Sequence, residues 1–451
     1  MDTSLIFKAY DVRGTYPDQI NEELARAIGS AFATFVDVPR VVVARDMRPS
    51  GDSLTAAFAE GVRRVGVEVL DLGLASTDFL YYASGHLDAP GAMFTASHNP
   101  AGYNGLKLCF AGAKPIGSES GLKEIEAMTH QFLATPASGD MAEQHDVSLM
   151  KEWVAHVHSF ADLSVMRPLK IVADTANGMG GFIAPEIFAG LPFDVEIMYP
   201  ELDGTFPNHP ADPLNPENIV DLQRRVLEVG ADIGLAFDGD ADRVFLIDEK
   251  AQPISGSTTT AMVAASMLDK HPGATILYNV ICSKSVPAVI AEHGGVGVRT
   301  RVGHSYIKSA MAETNAIFGG EHSGHYYYRE NFRADSGIIT AMVVLELLCR
   351  ATVPLSELVA PFNRFAASGE INTTVTSPSA SVAAIAELLR VAGDATIDLM
   401  DGLTADFGGW WFNLRPSNTE PLLRLNVEAA TDEDVARHVA DVRAMIAAVE
   451  A

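Results

Sequence analysis

The sequence predicts an α/β protein with three similar mixed-sheet α/β domains around a central cleft and a smaller C-terminal α+β domain. Two patterns predict this fold. A strand–helix–strand pattern occurs three times, and each time the chain continues into a further strand that ends at a polar loop. Near the C-terminus the repeated pattern stops, although strands and helices continue. We therefore expect three copies of one unit followed by a different domain.

Each copy of the repeated pattern consists of short apolar strands joined by a polar or glycine-rich turn and a right-handed helical crossover. The copies are predicted at residues 41–72, 171–198 and 275–299. The strands that follow them are predicted at 92–94, 233–237 and 316–318, and their partners at 106–110, 244–247 and 326–328. Ligands of open α/β sheets bind beyond the carboxyl ends of the strands, so the three loops between these strand pairs should meet in one cleft.

The tail is predicted to be an α+β domain. Its strands are predicted at residues 371–375, 410–414 and 422–428, and its helices at 381–392 and 432–449, with Asp432 as the N-cap of the last helix. Predicted linkers lie near residues 136–146, 248–256 and 366–370. These assignments give predicted domains at residues 1–145, 146–250, 251–367 and 368–451.

The composition of the chain is typical of a soluble globular protein, with 451 residues of which 48% are hydrophobic. The longest apolar run, residues 338–349, contains Glu346 and is too short to span a bilayer, so no membrane is expected as a partner. No basic segment followed by an apolar one marks a signal peptide. Cys109, Cys282 and Cys349 form no CxxC pair and leave one cysteine over, which disfavours a disulfide framework or zinc site. We therefore expect a cytoplasmic protein.

The chain is strongly acidic, with a formal net charge of −26 and an isoelectric point of about 4.8. This charge disfavours nucleic acid and anionic membrane surfaces as partners. It permits a small anionic substrate, because a basic pocket can exist within an acidic protein. A monomer and a dimer are both compatible with these observations.

The first loop, TASHNP, follows the strand predicted at residues 92–94. It places the hydroxyl of Ser97 at the end of a strand, next to His98, where a serine can act as a nucleophile or carry a transferable group. Residues such as Ser97 and Asn99 also commonly satisfy the hydrogen bonds of a turn. Taken alone, the loop favours that structural role.

The second loop, DGDADR, contains Asp238, Asp240 and Asp242 at alternate positions. Alternation can put the three carboxylates on one side, where they repel one another unless a cation lies between them, and hard oxygen ligands favour Mg²⁺. The spacing resembles the start of an EF-hand calcium loop, but the downstream glycine and glutamate of that motif are missing. The alternative is a solvated, aspartate-rich turn. We favour a metal site because the loop ends a buried strand.

The remaining two loops suit a phosphorylated sugar. The third loop, GEHSGH, contains Glu321 and Ser323, which can hydrogen-bond neighbouring sugar hydroxyls. The tail loop RPSNTEP, residues 415–421, offers a guanidinium, hydroxyls, an amide and backbone N–H groups, which suit a phosphate. Taken alone, each of these two loops is more simply interpreted as a turn.

Together, in this order and spacing, the four motifs resemble the α-D-phosphohexomutase superfamily, and within it the bacterial phosphomannomutase/phosphoglucomutase family. FKAYDVRG (residues 7–14) and DGTFPNH (residues 203–209) resemble further motifs of that family, so the resemblance covers essentially the whole chain. One difference is Ala241, where the metal loop of the family often has glycine. Alanine is small, so we expect the loop to keep its shape.

The resemblance implies a phosphohexomutase, an intramolecular phosphotransferase, that uses one Mg²⁺ ion and is activated by a hexose 1,6-bisphosphate. It implies that Ser97 is carried as phosphoserine and that Ser97, Asp238, Asp240 and Asp242 hold the metal. The implied catalytic residues are Ser97, which carries the phosphate, Arg243, which offsets negative charge, and His98, Lys107 and His304, which are candidates for proton transfer or charge stabilisation. Those implied to bind the phosphosugar are Tyr10, Arg13, Glu321, Ser323, His325, Arg415, Ser417, Asn418 and Thr419.

The implied reaction interconverts hexose 1-phosphate and hexose 6-phosphate, with mannose and glucose as the expected sugars. Phosphoserine donates its phosphate, the resulting 1,6-bisphosphate turns end for end, and its other phosphate returns to the serine. Phosphoglucosamine mutase is the alternative within the superfamily, although His322 after Glu321 is closer to the mannose/glucose group. A Mg²⁺-dependent phosphomonoester hydrolase would need no remote phosphate pocket. A non-catalytic phosphosugar-binding protein would need neither Ser97 nor the three aspartates.

Overall fold

The structure is a computed structural model that describes residues 3–417 and 422–450, except for the side chains of Ser4 and His304. Within these residues the chain forms four sheets in succession. A search of the described helices finds none with the length and apolar character needed to cross a membrane.

The first unit contains a mixed seven-stranded sheet. Its elements are β1 (Val12–Thr15), α1 (Glu22–Val36), β2 (Arg40–Arg45), α2 (Gly51–Arg64), β3 (Glu68–Leu74), α3 (Thr77–His86), β4 (Gly91–Phe94), β5 (Tyr103–Phe110), β6 (Lys114–Pro115), α4 (Leu122–Ala134) and β7 (Gln144–Asp146). The strand order is β1-β5-β4-β2-β3-β7, with β6 beside β5. Asn21 caps α1 by accepting a hydrogen bond from the amide of Leu24, as asparagine commonly does at this position.

The second unit follows α5 (Met150–His158). Its elements are β8 (Lys170–Asp174), α6 (Gly180–Phe188), β9 (Asp194–Met198), α7 (Val220–Val229), β10 (Ile233–Phe237), β11 (Val244–Asp248) and β12 (Pro253–Ile254). The strand order is β12-β11-β10-β8-β9.

The third unit begins with a long buried helix. Its elements are α8 (Gly256–Lys270), β13 (Thr275–Asn279), α9 (Ser285–Glu292), β14 (Val296–Thr300), α10 (His304–Thr314), β15 (Phe318–Gly320), β16 (Tyr326–Tyr328), α11 (Gly337–Arg350) and α12 (Leu355–Val359). The strand order is β14-β13-β15-β16.

The three units share one four-stranded arrangement, which confirms the predicted repeat. The shared orders are β3-β2-β4-β5, β9-β8-β10-β11 and β14-β13-β15-β16. In each, the first three strands run parallel and the fourth is antiparallel. Each chemically distinctive loop joins the third strand to the fourth, at the carboxyl end of the parallel strands. The repeat therefore places the three loops equivalently.

One predicted strand of the third unit is shifted. The sequence predicts it at residues 316–318, and the structure has it at Phe318–Gly320, where Gly320 pairs with Tyr278 of β13. A Cβ at Gly320 would lie 2.2 Å from the Oγ1 of Thr260, so α8 packs against the strand where only glycine fits. Adjacent glycines usually indicate a turn, and this is why the prediction ends the strand too early.

The tail forms a five-stranded antiparallel sheet in the order β17-β21-β20-β19-β18. Its elements are β17 (Ala366–Thr374), α13 (Pro378–Ala392), β18 (Thr396–Asp398), β19 (Leu403–Asp406), β20 (Trp411–Pro416), β21 (Leu422–Ala429) and α14 (Asp432–Glu450). The predicted linker at residues 366–370 is wrong, because these residues begin β17 and pair with β21. The predicted N-cap is also wrong: Asp432 is already helical, and the Oγ1 of Thr431 accepts the bond from the amide of Asp434.

Candidate active site

The loops of the three units and the tail loop meet at a cavity of about 800 Å³. This volume is in the range of sites that bind small molecules. The cavity is lined by ten of the residues named from the sequence: Tyr10, Arg13, Ser97, His98, Lys107, Asp242, Arg243, His325, Arg415 and Ser417. The structure therefore brings together parts of all four motifs.

The other residues named from the sequence fall into three groups. Asp238, Asp240 and Glu321 are almost fully buried and do not line the cavity. Ser323 stands beside the cavity, with its Oγ 3.0 Å from Nδ1 of His325. The side chain of His304 and the residues Asn418 and Thr419 lie outside the described residues.

Ser97 is buried, although loop residues are usually exposed. It is 5% exposed and has a φ of +49°, which non-glycine residues seldom adopt. Its Oγ donates a hydrogen bond of 2.8 Å to Oδ2 of Asp238 and lies 3.2 Å from Nδ1 of His98. The hydroxyl of the first loop is thus held against the first carboxylate of the second loop.

The three aspartates form a compact cluster, with carboxylate oxygens within 4.8 Å of one another. The loop turns back at Ala241, which has a φ of +59° and no exposed surface. Alanine therefore occupies a backbone conformation that glycine would adopt without strain.

Two cations balance this cluster. The Lys107 ammonium lies 2.7 Å from Oδ2 of Asp240 and 2.6 Å from Oδ2 of Asp242. Nε of Arg243 donates a hydrogen bond of 2.9 Å to Oδ2 of Asp238. Lys107 comes from β5 of the first unit and the aspartates from the second, so the charges meet only when the two units pack together.

The pKa values in the cluster follow from burial and these pairs. Burial raises the pKa of Asp238 well above its ordinary value, against the opposing effect of Arg243. Burial acts in the same direction on Asp240, but the nearby Lys107 ammonium outweighs it and holds the Asp240 pKa below its ordinary value. Burial alone would lower the pKa of Lys107, but the two carboxylates beside it raise that pKa well above its usual range. Lys107 is therefore charged at neutral pH.

The residues of the cluster fit a divalent cation. Oδ1 of Asp240 and Oδ1 of Asp242 are buried and accept no hydrogen bond among the described residues. Buried carboxylate oxygens without a donor are costly, and a hard cation would satisfy both. With the Oγ of Ser97 and the carboxylate of Asp238, they form an all-oxygen donor set of the kind that Mg²⁺ prefers.

A second group of possible ligands, Asp242, His325 and Asp335, also has atoms within 4.8 Å of one another. This group includes a histidine nitrogen, whereas the three aspartates of the second loop offer only oxygen ligands, which Mg²⁺ prefers. The group formed by the three aspartates of the second loop is the better metal site.

His98 is neutral in this arrangement. Burial lowers its pKa well below the ordinary value, and the neighbouring Arg243 adds to the effect. Nη2 of Arg243 donates to Nδ1 of His98, so that nitrogen acts as an acceptor. His98 therefore places a neutral imidazole beside the hydroxyl of Ser97.

The carboxylate of Glu321, on the third loop, is held by three donors. It accepts hydrogen bonds from the hydroxyl of Tyr327 at 2.6 Å, the side-chain amide of Asn279 at 3.0 Å and the backbone amide of Gly303 at 3.2 Å. These donors fix its orientation below the cavity.

Tyr10 connects the first unit to the third, and Arg13 supports the loop of Ser97 within the first unit. Nη1 of Arg13 donates to Oδ1 of Asn99 at 2.6 Å, at the end of the Ser97 loop. The hydroxyl of Tyr10 donates to the carbonyl of Val302 in the third unit, and burial raises the pKa of this phenol. Both side chains also line the cavity.

The tail contributes two arginines, of which sequence analysis identified one. Arg415 is 8% exposed, and burial lowers the pKa of its guanidinium. Its partner in register on β21, Arg424, lines the same cavity. Nη2 of Arg415 lies 3.3 Å from Oε2 of Glu370. Arg424 could have been noticed in the sequence, because it is a charged residue between Leu423 and Leu425 on the strand that follows the tail loop RPSNTEP.

Thr77 is another residue that sequence analysis missed. Its Oγ1 donates to Oδ2 of Asp240 at 2.5 Å, and its amide donates to the Asp240 carbonyl at 3.1 Å. It lies at the start of α3, where a threonine is unremarkable, and its partner is 163 positions away in the chain. No local pattern could have indicated this contact.

Comparisons with known proteins agree with this geometry. Models of the phosphoglucomutase/phosphomannomutase family match residues 4–133 as alpha/beta/alpha domain I, 151–252 as domain II, 255–365 as domain III and 370–445 as the C-terminal domain. The chain is 38% identical over 440 residues to a phosphomannomutase of Salmonella montevideo, covering 96% of each protein.

Two further similarities cover nearly the whole chain. It is 41% identical over 431 residues to a protein of Xanthomonas campestris pv. campestris named phosphohexose mutases, covering 94% of this chain and 95% of the relative. A crystal structure of a phosphoglucomutase/phosphomannomutase family protein of Burkholderia thailandensis superposes with a TM-score of 0.90 at 31% identity, covering 100% of this chain and 98% of that one. The chain therefore belongs to the phosphoglucomutase/phosphomannomutase family.

Proposed function

We propose that the chain is a hexose-phosphate mutase that interconverts hexose 1-phosphate and hexose 6-phosphate through phosphoserine at Ser97 and a hexose 1,6-bisphosphate. One observation carries the proposal: a single cavity is lined by Ser97 and, from the tail, by Arg415. A mutase needs a transfer site and a separate place for the phosphate that does not react. The names of the relatives support mannose phosphates as substrates, and we extend the proposal to glucose phosphates.

The transfer steps use groups of this chain. The phosphorus–oxygen bond at Oγ of Ser97 breaks while a bond forms to the free hydroxyl of the sugar, whose proton passes to a histidine of the cavity, His98 or His325. After the bisphosphate turns around, its other phosphate moves to Oγ and the sugar oxygen that it leaves regains a proton. Arg415 and Ser417 hold the phosphate that is not reacting, and Glu321 with Ser323 holds the sugar hydroxyls.

The cations around Ser97 stabilise the charge of the transferring phosphate. Lys107 remains an ammonium, so we assign it to charge stabilisation and not to proton abstraction. Neutral His98, and His325 at the cavity wall, remain as groups that can move a proton. When bound by Ser97, Asp238, Asp240 and Asp242, Mg²⁺ would supply further charge stabilisation. A hexose 1,6-bisphosphate would act as activator by restoring phosphoserine.

The test is transfer of phosphate from a hexose 1,6-bisphosphate to the protein, followed by intact-mass measurement. We expect one phosphate on the wild type and on the control Ser164→Ala, whose serine is exposed, and none on Ser97→Ala. Coupled assays with mannose 1-phosphate, glucose 1-phosphate and glucosamine 6-phosphate then establish the sugar. Normal turnover by Ser97→Ala would remove Ser97 from the mechanism, and release of free phosphate in place of isomerisation would favour a hydrolase.

A further inference from the structure

The side chain of Arg48 lies behind the Ser97 loop, on the turn after β2. Nη1 donates to the carbonyls of Pro100 and Tyr103, each at 2.9 Å. Nη2 donates to the carbonyl of Ser97 at 2.8 Å and to that of Asn99 at 2.7 Å. One guanidinium therefore holds four backbone carbonyls of this loop.

The remaining donor of Arg48 is used by Asp46. Nε of Arg48 lies 3.2 Å from Oδ2 of Asp46, and the two side chains have no exposed surface. A guanidinium has five N–H donors, so all of them are engaged. A buried charge with complete hydrogen bonding and a paired carboxylate rigidifies its surroundings.

The loop needs such support because of the backbone conformation of Ser97. A φ of +49° is sparsely populated for serine and persists only where neighbouring groups determine it. Arg48 binds the Ser97 carbonyl, and a Cβ at Gly239 would come within 2.4 Å of the same oxygen. With the carbonyl held there and the hydroxyl bonded to Asp238, the serine is fixed from both ends.

The second unit covers this arrangement with the DGTFPNH motif, which the proposed reaction leaves without a role. The ring of Phe206 lies over the guanidinium, with its centroid 5.4 Å from Cζ of Arg48. Gly204 permits the approach, because a Cβ there would lie 2.6 Å from Cα of Arg48. Phe206 itself is only half-buried, so its outer face meets solvent while its inner face shields Arg48.

We propose that Arg48, covered by Phe206, is a positioning residue that sets the Ser97 loop for phosphate transfer. The guanidinium of Arg48 has no exposed surface and donates all its hydrogen bonds within the protein, so we do not expect it to touch the substrate. Their role is to aim the Oγ of Ser97, because small displacements of a reacting atom cost large factors in rate. This inference rests on the proposed function of Ser97.

The test replaces Arg48 by lysine, which keeps a positive charge beside Asp46 but cannot reach four carbonyls with one ammonium. We expect the rate of Ser97 phosphorylation by hexose 1,6-bisphosphate, and kcat, to fall by about a hundredfold. Michaelis constants for hexose phosphates should change by less than about threefold, because the distal phosphate contacts are untouched. Backbone amides of residues 96–103 should exchange hydrogen faster.

Arg167→Lys is the matched control. Arg167 also donates to backbone carbonyls, those of Leu348 and Cys349, but it does not line the cavity. We expect this control to lower the melting temperature without changing phosphorylation or exchange in the Ser97 loop. All rates are measured well below both melting temperatures, so that a general loss of stability does not contribute.

Two outcomes would overturn the proposal. One is a rate of Ser97 phosphorylation in Arg48→Lys equal to that of the wild type. The other is an equal loss of that rate in Arg167→Lys. If Arg48→Lys does not fold, Phe206→Leu decides, since it should raise exchange at residues 96–103 and slow phosphorylation by several-fold. Unchanged values in Phe206→Leu would then count against the proposal. Absence of phosphate on wild-type Ser97 would instead overturn the proposed function, and the exchange measurement would still test the loop contact.

Discussion

The first three units and the tail are held together differently. One apolar core runs through all three units and contains Val42 of the first, Ile171 of the second and Ile276 of the third. The buried core of the tail is separate and contains only residues between Val375 and Ile446. The comparison indicates a fused three-unit body and a tail with its own folded core.

The contacts between the tail and the body include several polar bonds that can break individually. The Lys284 ammonium lies 2.6 Å from Oδ1 of Asp406, and Nη1 of Arg299 lies 2.7 Å from Oδ2 of Asp398. Partly exposed pairs of this kind contribute little stability each. We therefore expect the body to keep the transfer site rigid while the tail moves to admit and release the sugar.

The largest effect should come from breaking the charge cluster in the body. Asp240→Asn removes one proposed anionic metal ligand and one partner of Lys107, so we expect turnover to fall by about a hundredfold or more. Mg²⁺ affinity should fall with it, and chelation should inactivate the wild type reversibly. Steady-state rates against Mg²⁺ concentration measure both. Full activity after exhaustive chelation would show that the cluster works without a metal.

The second-largest effect should come from a change in the tail, and it should weaken substrate binding while leaving the three-unit body intact. Arg415→Ala removes a hydrogen-bonding charge worth roughly 1.5–3 kcal/mol, which corresponds to a rise of about tenfold or more in the Michaelis constants of both hexose 1-phosphate and hexose 6-phosphate. More bisphosphate should also escape during turnover. Glu387→Gln, whose partner Arg390 lies on the same tail helix, is the control. Unchanged constants for both substrates would refute the distal phosphate pocket and the reorientation step.

The stability of the three-unit body should depend on pH through a buried carboxyl group at the contact between its first and third units. Asp78 accepts a hydrogen bond of 2.6 Å from Ser336, and burial raises its pKa to about 7. The folded protein then binds a proton more tightly than the unfolded chain. This stabilisation is fully present below about pH 4 and is lost as the pH rises to about 7, by about 1.4 kcal/mol per unit.

Thermal unfolding of the wild type and of Asp78→Asn between pH 4.5 and 8 measures this loss. Asp78 lies in the three-unit body, so the difference should appear in the unfolding of the body. The wild type should lose stability relative to the variant up to about pH 7 and then level off. Parallel curves over the whole range would mean that Asp78 is ionised throughout.

The smallest effect should come from the joint between body and tail. Asp398→Asn weakens a partly exposed pair with Arg299, worth about 0.2–1 kcal/mol. We expect Michaelis constants to change by no more than about fivefold and to lose part of their dependence on salt concentration. The melting temperature of the body should not move. A hundredfold loss of turnover would show that the tail cannot be treated as a separate moving unit.

Much of the fold was predictable because apolar strands and polar loops recur in the body with one spacing. The exact placement of β15 was not, since Gly320 indicates a turn locally and becomes a strand residue only against Thr260 of α8. The start of the tail was also predicted wrongly. The sequence around Ala366 is typical of a linker, and only its pairing with β21 shows that it belongs to a strand. The domain boundaries at 145, 250 and 367 stay predictions, as do a cytoplasmic location and a monomeric or dimeric state.

The site residues that could be predicted are those whose own side chains carry the chemistry and stand within a recognisable sequence motif. Ser97, the three aspartates and Arg415 stand on loops with distinctive sequences, and their side chains meet at or beneath one cavity. Thr77, Arg48 and Arg424 were missed because their roles depend on partners elsewhere. Arg48 reads as an ordinary surface residue of a turn, and only its four carbonyl partners, 49 to 55 positions away, reveal what it holds.

The separation of Ser97 from its partners along the chain has a consequence for biosynthesis. Asp238 lies 141 positions after Ser97, and Lys107 meets Asp240 across 133 positions. A ribosome must therefore complete the second unit before the serine hydroxyl has its carboxylate acceptor. Until then the first unit has a lysine without its aspartates and an apolar face without the shared core. Such exposed intermediates are prone to aggregation, so we expect nascent chains that stall before residue 243 to be targets for chaperones.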